Sequence, residues 1–456
     1  MVRRRLEALI NHKFSPIAFF VICKLVFDWS YTFFNAPLYA FMGFGYNPSL
    51  GNWTLSFLVS VATFALVYSR KKTLSSLAIN TFLIIAYLPL SSFFAISGRD
   101  PRYFLYVSFC WILVKLVIDA PWGKIISAMK PSQTIIERVK HLHQKHGKLI
   151  GKFSNISIYV ACGLVSVAAI FGFIIYTDPS SWVVALNVER IYEIRQDLEF
   201  PTWFSYISVW QMQVVNPFLA AYFIYRKKYP LVTIPFIFQV LIYLSTGTRV
   251  ALLAIPLFVT FWIVAKLKHS FIIFSALASL GVAASSVLLI FTRVGLVVYS
   301  VLVMRLLYLP AFIEYEYFYF FQNAPHLFFS EGRIGQLFGI ISPYPMESVR
   351  LVAMHISGTA TSLANTGFLA DGFANMGVAG MMVVSLVLAV ILKYCDSFLN
   401  KLPLSLVTAC IIVPLFSIVN ISLLTTILTG GLALMMLLLS LLALANASEN
   451  RGLQNE

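Results

Sequence analysis

Runs of about twenty apolar residues, the length a helix needs to cross a bilayer, recur along this chain from one end to the other. In lipid no water is available to satisfy a backbone group, so a chain that presents such runs repeatedly is restricted to helices. The runs place spans at 14–35, 53–69, 74–96, 103–120, 153–176, 205–225, 230–246, 250–266, 271–290, 374–394, 403–420 and 423–445. Composition agrees: of 456 residues, 59% are hydrophobic and only 11% charged, too few charges for a surface facing water. The expectation is an all-α, polytopic integral membrane protein of about twelve transmembrane helices, forming one domain over 1–456. The apolar run that follows Met1-Val-Arg-Arg-Arg5 is too long for a signal-peptide core and reads as a retained first helix. The five cysteines show no metal-ligand spacing, and no metal or cofactor is expected.

The basic residues set an orientation. With the N-terminus inside, 22 Lys and Arg fall on the cytoplasmic side, including the basic loop 121–152, and nine fall outside. That bias is the positive-inside pattern and puts both termini in the cytoplasm. The basic loop suits anionic lipid headgroups rather than nucleic acid. All nine outside residues are arginine: Arg99, Arg102, Arg190, Arg195, Arg249, Arg293, Arg305, Arg333 and Arg350. Topology alone does not choose arginine over lysine. Its planar, permanently charged fork grips phosphate or carboxylate through two hydrogen bonds, which makes several of these candidates for an anion site.

Three outside segments carry the candidate chemistry. Loop 177–204 contains Glu189, Glu193 and Asp197 at four-residue spacing beside Arg190 and Arg195. It reads as a solvated interfacial helix, with either arginine available to a phosphate or acidic sugar. The turn Ser245-Thr246-Gly247-Thr248-Arg249 joins two apolar runs. Gly247 permits a tight bend, and Arg249 opens a helix whose first amides are free, a plausible phosphate cradle or a snorkelling arginine. The long loop 291–373 contains 296–322, apolar enough to lie in the interface. There Arg305, Tyr308, Phe312, Tyr315, Glu316 and Tyr319 share one helical face. Sugars stack on such aromatic faces, and headgroup belts use them equally. Glu314-Tyr-Glu316 also permits a divalent-metal reading. Beyond it, Asn365 to Gly380 enters the tenth span. Asp371 sits where a carboxylate is paired, wet, functional or simply stabilised by the helix N-terminus, and Gly377 and Gly380 suit close helix packing.

These residues resemble a known family. Thr246-Gly247-Thr248-Arg249 before an apolar helix, the Asn365–Gly380 stretch and the Leu423–Gly431 start of the last span are similar to those of O-antigen polymerases of the Wzy type and the related ligases. The resemblance implies a GT-C-like membrane glycosyltransferase with a long periplasmic loop containing interfacial helices. Such an enzyme joins undecaprenyl-diphosphate-linked oligosaccharide repeat units, donor and acceptor both lipid-linked, at the periplasmic face of the bacterial inner membrane. It needs no metal, and a chain-length regulator is an expected partner. Arginines facing the departing diphosphate would stabilise its charge. The resemblance makes Arg249 the leading diphosphate ligand, with Arg190, Arg195 and Arg305 as further candidates and Tyr308, Asn365 and Glu316 as substrate contacts. Asp371 is the first choice for the base that takes the acceptor proton, followed by His355 and His326, with Glu193 and Glu316 also open. The related ligases carry histidine where this chain has Ala364, which weakens a ligase reading. A flippase or transporter of lipid-linked oligosaccharides is the rival from another class.

Overall fold

The computed structural model describes residues 14–122, 133–177, 200–359 and 362–452, and every regular element among them is helical. In chain order the principal helices are α1 (Ser15–Leu38), α2 (Leu50–Val67), α3 (Leu74–Ser97), α4 (Pro101–Asp119) and α5 (Gln133–Tyr176). There follow α6 (202–225), α7 (Tyr229–Thr246), α8 (Arg249–Val264), α9 (Ser270–Phe291) and α10 (Arg293–Phe321). The last four are α11 (Ser348–Ser357), α12 (Phe368–Asp396), α13 (Leu404–Val419) and α14 (Leu423–Ser448). Ten helices among the described residues are long and apolar enough to cross a membrane, while α8 and α13 are shorter apolar helices. The chain is therefore a multi-pass membrane protein. Three of the expected spans, 205–225, 250–266 and 403–420, are not among the ten, and α10, expected in the interface, is. Helix α6, the first of the three, carries Gln211, Gln213 and Asn216 in its middle.

The helices are bent by a recurring device. Among the described residues four π-helical turns, 31–35, 83–87, 211–215 and 300–308, each end two residues before a proline: Pro37, Pro89, Pro217 and Pro310. Proline lacks an N–H and its ring crowds the carbonyl of the preceding turn. The residue just before each proline bonds five residues back, as Ala36 does to Tyr31 and Asn216 to Gln211. The widened turn admits the ring without breaking the helix.

Two compact units are built from interleaved parts of the chain: Met1–Ile118, Leu267–Lys393 and Ile418–Leu423 form the first, and Asp119–Lys266, Tyr394–Ser417 and Leu424–Glu456 the second. In the first unit, the start of α1, the end of α2 and the start of α9 meet at one end, where Phe20 stacks on Phe64 at 4.3 Å and Phe64 packs on Phe271. The opposite end carries the turn Gly98-Arg99-Asp100. Buried hydroxyls tie the helices together along the way, Ser56 and Ser60 to Ser91 and Ser30 to Ser286.

Length and composition alone would let α10 cross a membrane, but its contacts bring both of its ends to one end of the unit. It begins directly after α9 ends, separated only by the cap Thr292. Tyr299 hydrogen-bonds Ser30, Tyr308 donates to the Phe27 carbonyl at 2.7 Å, and Phe312 packs on Phe44. Glu316 then meets Arg99, and the Asp100 N–H donates to Tyr319. Both ends of α10 thus lie at the Arg99 end.

Helix α12 is a hairpin. Met376 (φ −151°, ψ 28°) and Gly377 (φ 59°, ψ −144°) break it into two arms. On the first arm Phe368 packs against Trp111, about two turns deeper along α4 than the Tyr103 that meets Phe373, so this arm climbs towards the Arg99 end. The second arm descends beside it. Gly372 and Gly380 face each other so closely that a Cβ on Gly380 would collide with the Gly372 carbonyl. The tip is clamped by the N–H groups of Leu327 and Phe328, which donate to the Ala374 and Asn375 carbonyls, and of Phe329, which donates to Asn375 Oδ1 at 2.6 Å. The chain reaches the first arm through non-helical residues 362–367.

In the second unit Phe173, Phe204, Met212, Ile242 and Ala251 form an apolar cluster. Beside it a chain of buried amides runs from Gln211 to Asn216, from Asn216 to Gln239, and from Gln239 to the Ala251 carbonyl. This last bond fixes the start of α8. Gly247 ends α7 with φ 62°, its N–H bonded to the Tyr243 carbonyl, and α8 begins at Arg249.

Candidate functional site

The Arg99 end of the first unit is built from a turn and an aromatic floor. Gly98 closes α3 with φ 68°, a conformation other residues resist, and presents Arg99 next in line. The Arg99 guanidinium bonds Glu316 at 2.9 Å and the Gly43 carbonyl at 3.2 Å. Phe93, Phe312 and Tyr319 lie 5.1, 5.7 and 5.5 Å from it, so rings hold the cation as well as the carboxylate does. The side chains of Arg99 and Glu316 keep 20% and 12% of their exposure, which leaves the pair reachable from outside the protein. Next to it, Arg102 grips both oxygens of Asp100, Oδ2 at 2.6 Å and Oδ1 at 3.1 Å. The Arg102 hydrogen bonds hold the Asp100 carboxyl below the usual carboxylate range, against a smaller opposing effect of burial.

Arg99 and Glu316 line an open groove of about 810 Å³. His355 on α11 faces it, as do Phe312, Phe41 and Leu363, so a polar patch sits within apolar walls. His355 is exposed and stands edge-on to Phe320 at 5.6 Å. Ala364 also lines the groove. Its N–H donates to the Val349 carbonyl, and its carbonyl accepts from Tyr317. These bonds pin the non-helical stretch that carries exposed Asn365 just beyond. A phosphate offers Arg99 the same paired acceptors as Glu316 does, so an anionic ligand in this groove would compete with that carboxylate.

The expected site residues divide. Glu316 and His355 come together here, with Asn365 next in the chain to a lining residue. Tyr308 does not: it is fully buried, its hydroxyl donating to the Phe27 carbonyl. Phe312, Tyr315, Phe318 and Phe321 are buried likewise, because the aromatic face of α10 turns onto α1, α3 and α4. Arg305 is exposed within the π turn 300–308 and is not a groove residue. Asp371 lies in the first turn of α12, where its charge is felt by Tyr317 and Glu331, apart from the groove lining. His326 sits under the hairpin tip, with Nδ1 buried and without a partner. Arg249 opens α8 in the second unit. Arg190, Glu193 and Arg195 fall outside the described residues, as do most of loop 177–204 and part of loop 121–152. Glu314 and Glu316 diverge, the first towards Tyr103 and the second towards Arg99, so they do not form a shared divalent-metal site.

In the sequence Arg99 is one of nine outside arginines, and no motif sets it apart from the others. Its signal, the Gly98-Arg99-Asp100 turn, shares a glycine-then-arginine character with the Gly247 turn. No family model matches this chain, and no curated protein or solved structure is significantly similar to it.

Proposed function

We propose that this chain is an oligosaccharide repeat-unit polymerase of the O-antigen type, a GT-C-like glycosyltransferase acting at the periplasmic face of the bacterial inner membrane. The observation that supports this reading is the groove that gathers Arg99, Glu316 and His355 between apolar walls. A lipid-linked substrate needs that combination: apolar walls for the lipid, a cation for the diphosphate and a base for the acceptor. In the proposed step the diphosphate displaces Glu316 from Arg99. The bond from the sugar anomeric carbon to the diphosphate oxygen breaks as an acceptor hydroxyl oxygen bonds to that carbon. The hydroxyl proton passes to His355, which lines the groove as Asp371 does not, and the leaving diphosphate oxygen keeps the electron pair, its charge held by Arg99. Arg249, Arg190 and Arg195 remain proposed diphosphate ligands on the family resemblance.

The test is the surface glycan of the native host after gene replacement, with membrane protein level measured in parallel. Arg99→Ala and His355→Gln should each abolish the polymer ladder at normal protein level while single repeat units still reach the surface. An unchanged ladder in the full deletion would overturn the reading. The re-entrant hairpin α12 favours a second one, a transporter of lipid-linked oligosaccharides, because transporters place interrupted helices at their substrate sites. Loss of that activity would remove single units from the surface as well, which separates the two.

A further inference from the structure

The non-helical stretch before α12 ends at a cluster of oxygens. Glu314 Oε1, the Val419 carbonyl and the Ile418 carbonyl converge on the bare face of Gly367, lying 2.7, 2.8 and 3.1 Å from where a Cβ would stand, so that any side chain there would collide with them. All three are acceptors unless Glu314 carries a proton. The other carboxylate oxygen, Oε2, accepts from Tyr103 at 3.1 Å, so it gives no positive charge to the cluster. The carbonyls are aimed here because the helix breaks after Val419: α13 ends in a 3-10 turn at 416–419. Thr366, the preceding residue, is 6% exposed and its hydroxyl has no partner. Glu314, Ile418 and Val419 also line a closed-in cavity of about 20 Å³, with room for one water or one small ion. Its other walls, including Phe82, Trp111 and Phe368, are apolar.

An ionised carboxylate facing two carbonyl oxygens in an apolar surround is repelled by them, and a positive charge between them removes the conflict. We propose that Glu314, with the Ile418 and Val419 carbonyls, forms a site for a small monovalent cation, Na⁺ or the proton that competes with it. Oxygen-only ligation by one carboxylate and interrupted-helix carbonyls is the chemistry of such sites in membrane proteins. The titratable groups that interact with Glu314 are Tyr103 and Tyr315, with Tyr87 across the cavity. Tyrosines ordinarily titrate near pH 10, so among these groups Glu314 is the one that exchanges a proton or cation at lower pH. The cation would tie α10 to Gly367 and to Ile418 and Val419, all within the first unit, and hence set the position of the stretch that carries Asn365. This inference goes beyond the polymerase reading and stands or falls separately from it.

The experiment uses the full chain purified in lipid nanodiscs. Radioactive sodium binding is measured by scintillation proximity, and thermal stability is followed from about pH 6 to 9 in sodium, potassium or choline chloride. A sodium site gives saturable binding displaced by acid, a melting temperature raised by sodium over choline, and loss of both in Glu314→Gln. A proton site gives no sodium binding but a pH-dependent melting temperature that becomes flat in Glu314→Gln. If that variant does not fold, Glu314→Asp decides: withdrawing the carboxylate by one methylene should weaken sodium binding at least about tenfold or shift the pH dependence. Unchanged sodium binding and pH response in either folded variant, or a wild-type chain that shows neither effect, would overturn the proposal. Because no glycan is measured, a failed polymerase reading leaves this result untouched.

Discussion

At the scale of single residues, the Arg99 end shows two uses of one cation type. Arg102 holds Asp100 in an exposed pair, whereas Arg99 is sunk between rings with a carboxylate of its own. Exposed pairs contribute little, and that is the expectation for Asp100 with Arg102. The direction is nevertheless fixed. The folded state holds the Asp100 carboxyl below its ordinary value, so its contribution is present above about pH 4 and is lost as pH falls through the lower folded value. Thermal melts of the purified chain at decreasing pH should therefore fall more steeply for the wild type than for Asp100→Asn below about pH 4, with the curves parallel at neutrality. Glu331 runs the opposite way, raised chiefly by burial despite hydrogen bonds from the Ser348 N–H and hydroxyl at 2.6 Å.

At the scale of elements, two devices shape the helices. A π turn before each of Pro37, Pro89, Pro217 and Pro310 bends a helix while keeping its backbone bonded. Glycine does the rest in α12, where Gly377 makes the turn and Gly372 and Gly380 let the arms touch. Backbone opposes backbone there, so no side-chain rotation relieves an added methyl. Gly380→Val should cost about 3 kcal/mol or more, read as a lowered melting temperature or loss of folded protein. The same change at Gly163, which has open space around it, should be close to neutral by comparison.

At the scale of the whole chain, the apolar runs were enough to identify a multi-pass helical membrane protein, because lipid leaves a chain few alternatives. The hairpin in α12 was not legible. Its first arm is apolar, and Gly377 and Gly380 read as a packing motif; only tertiary contact shows that one glycine turns the chain while the other packs. Nor could the facing of Tyr308 be read, since a ring against lipid, sugar or core obeys the same helical spacing. Glu316 and His355 were legible as chemistry but not as neighbours, since α11 and the 362–367 stretch bring them together only in three dimensions.

As proposed, this chain itself joins lipid-linked repeat units. The direct measurement is reconstitution: the purified chain in liposomes with synthetic undecaprenyl-diphosphate-linked repeat units, products resolved by size. The account predicts a ladder of lengthening glycans with release of undecaprenyl diphosphate, lost in Arg99→Ala of equal folded yield. Repeat units recovered unjoined, or merely moved from one leaflet to the other by the folded wild-type chain, would contradict it.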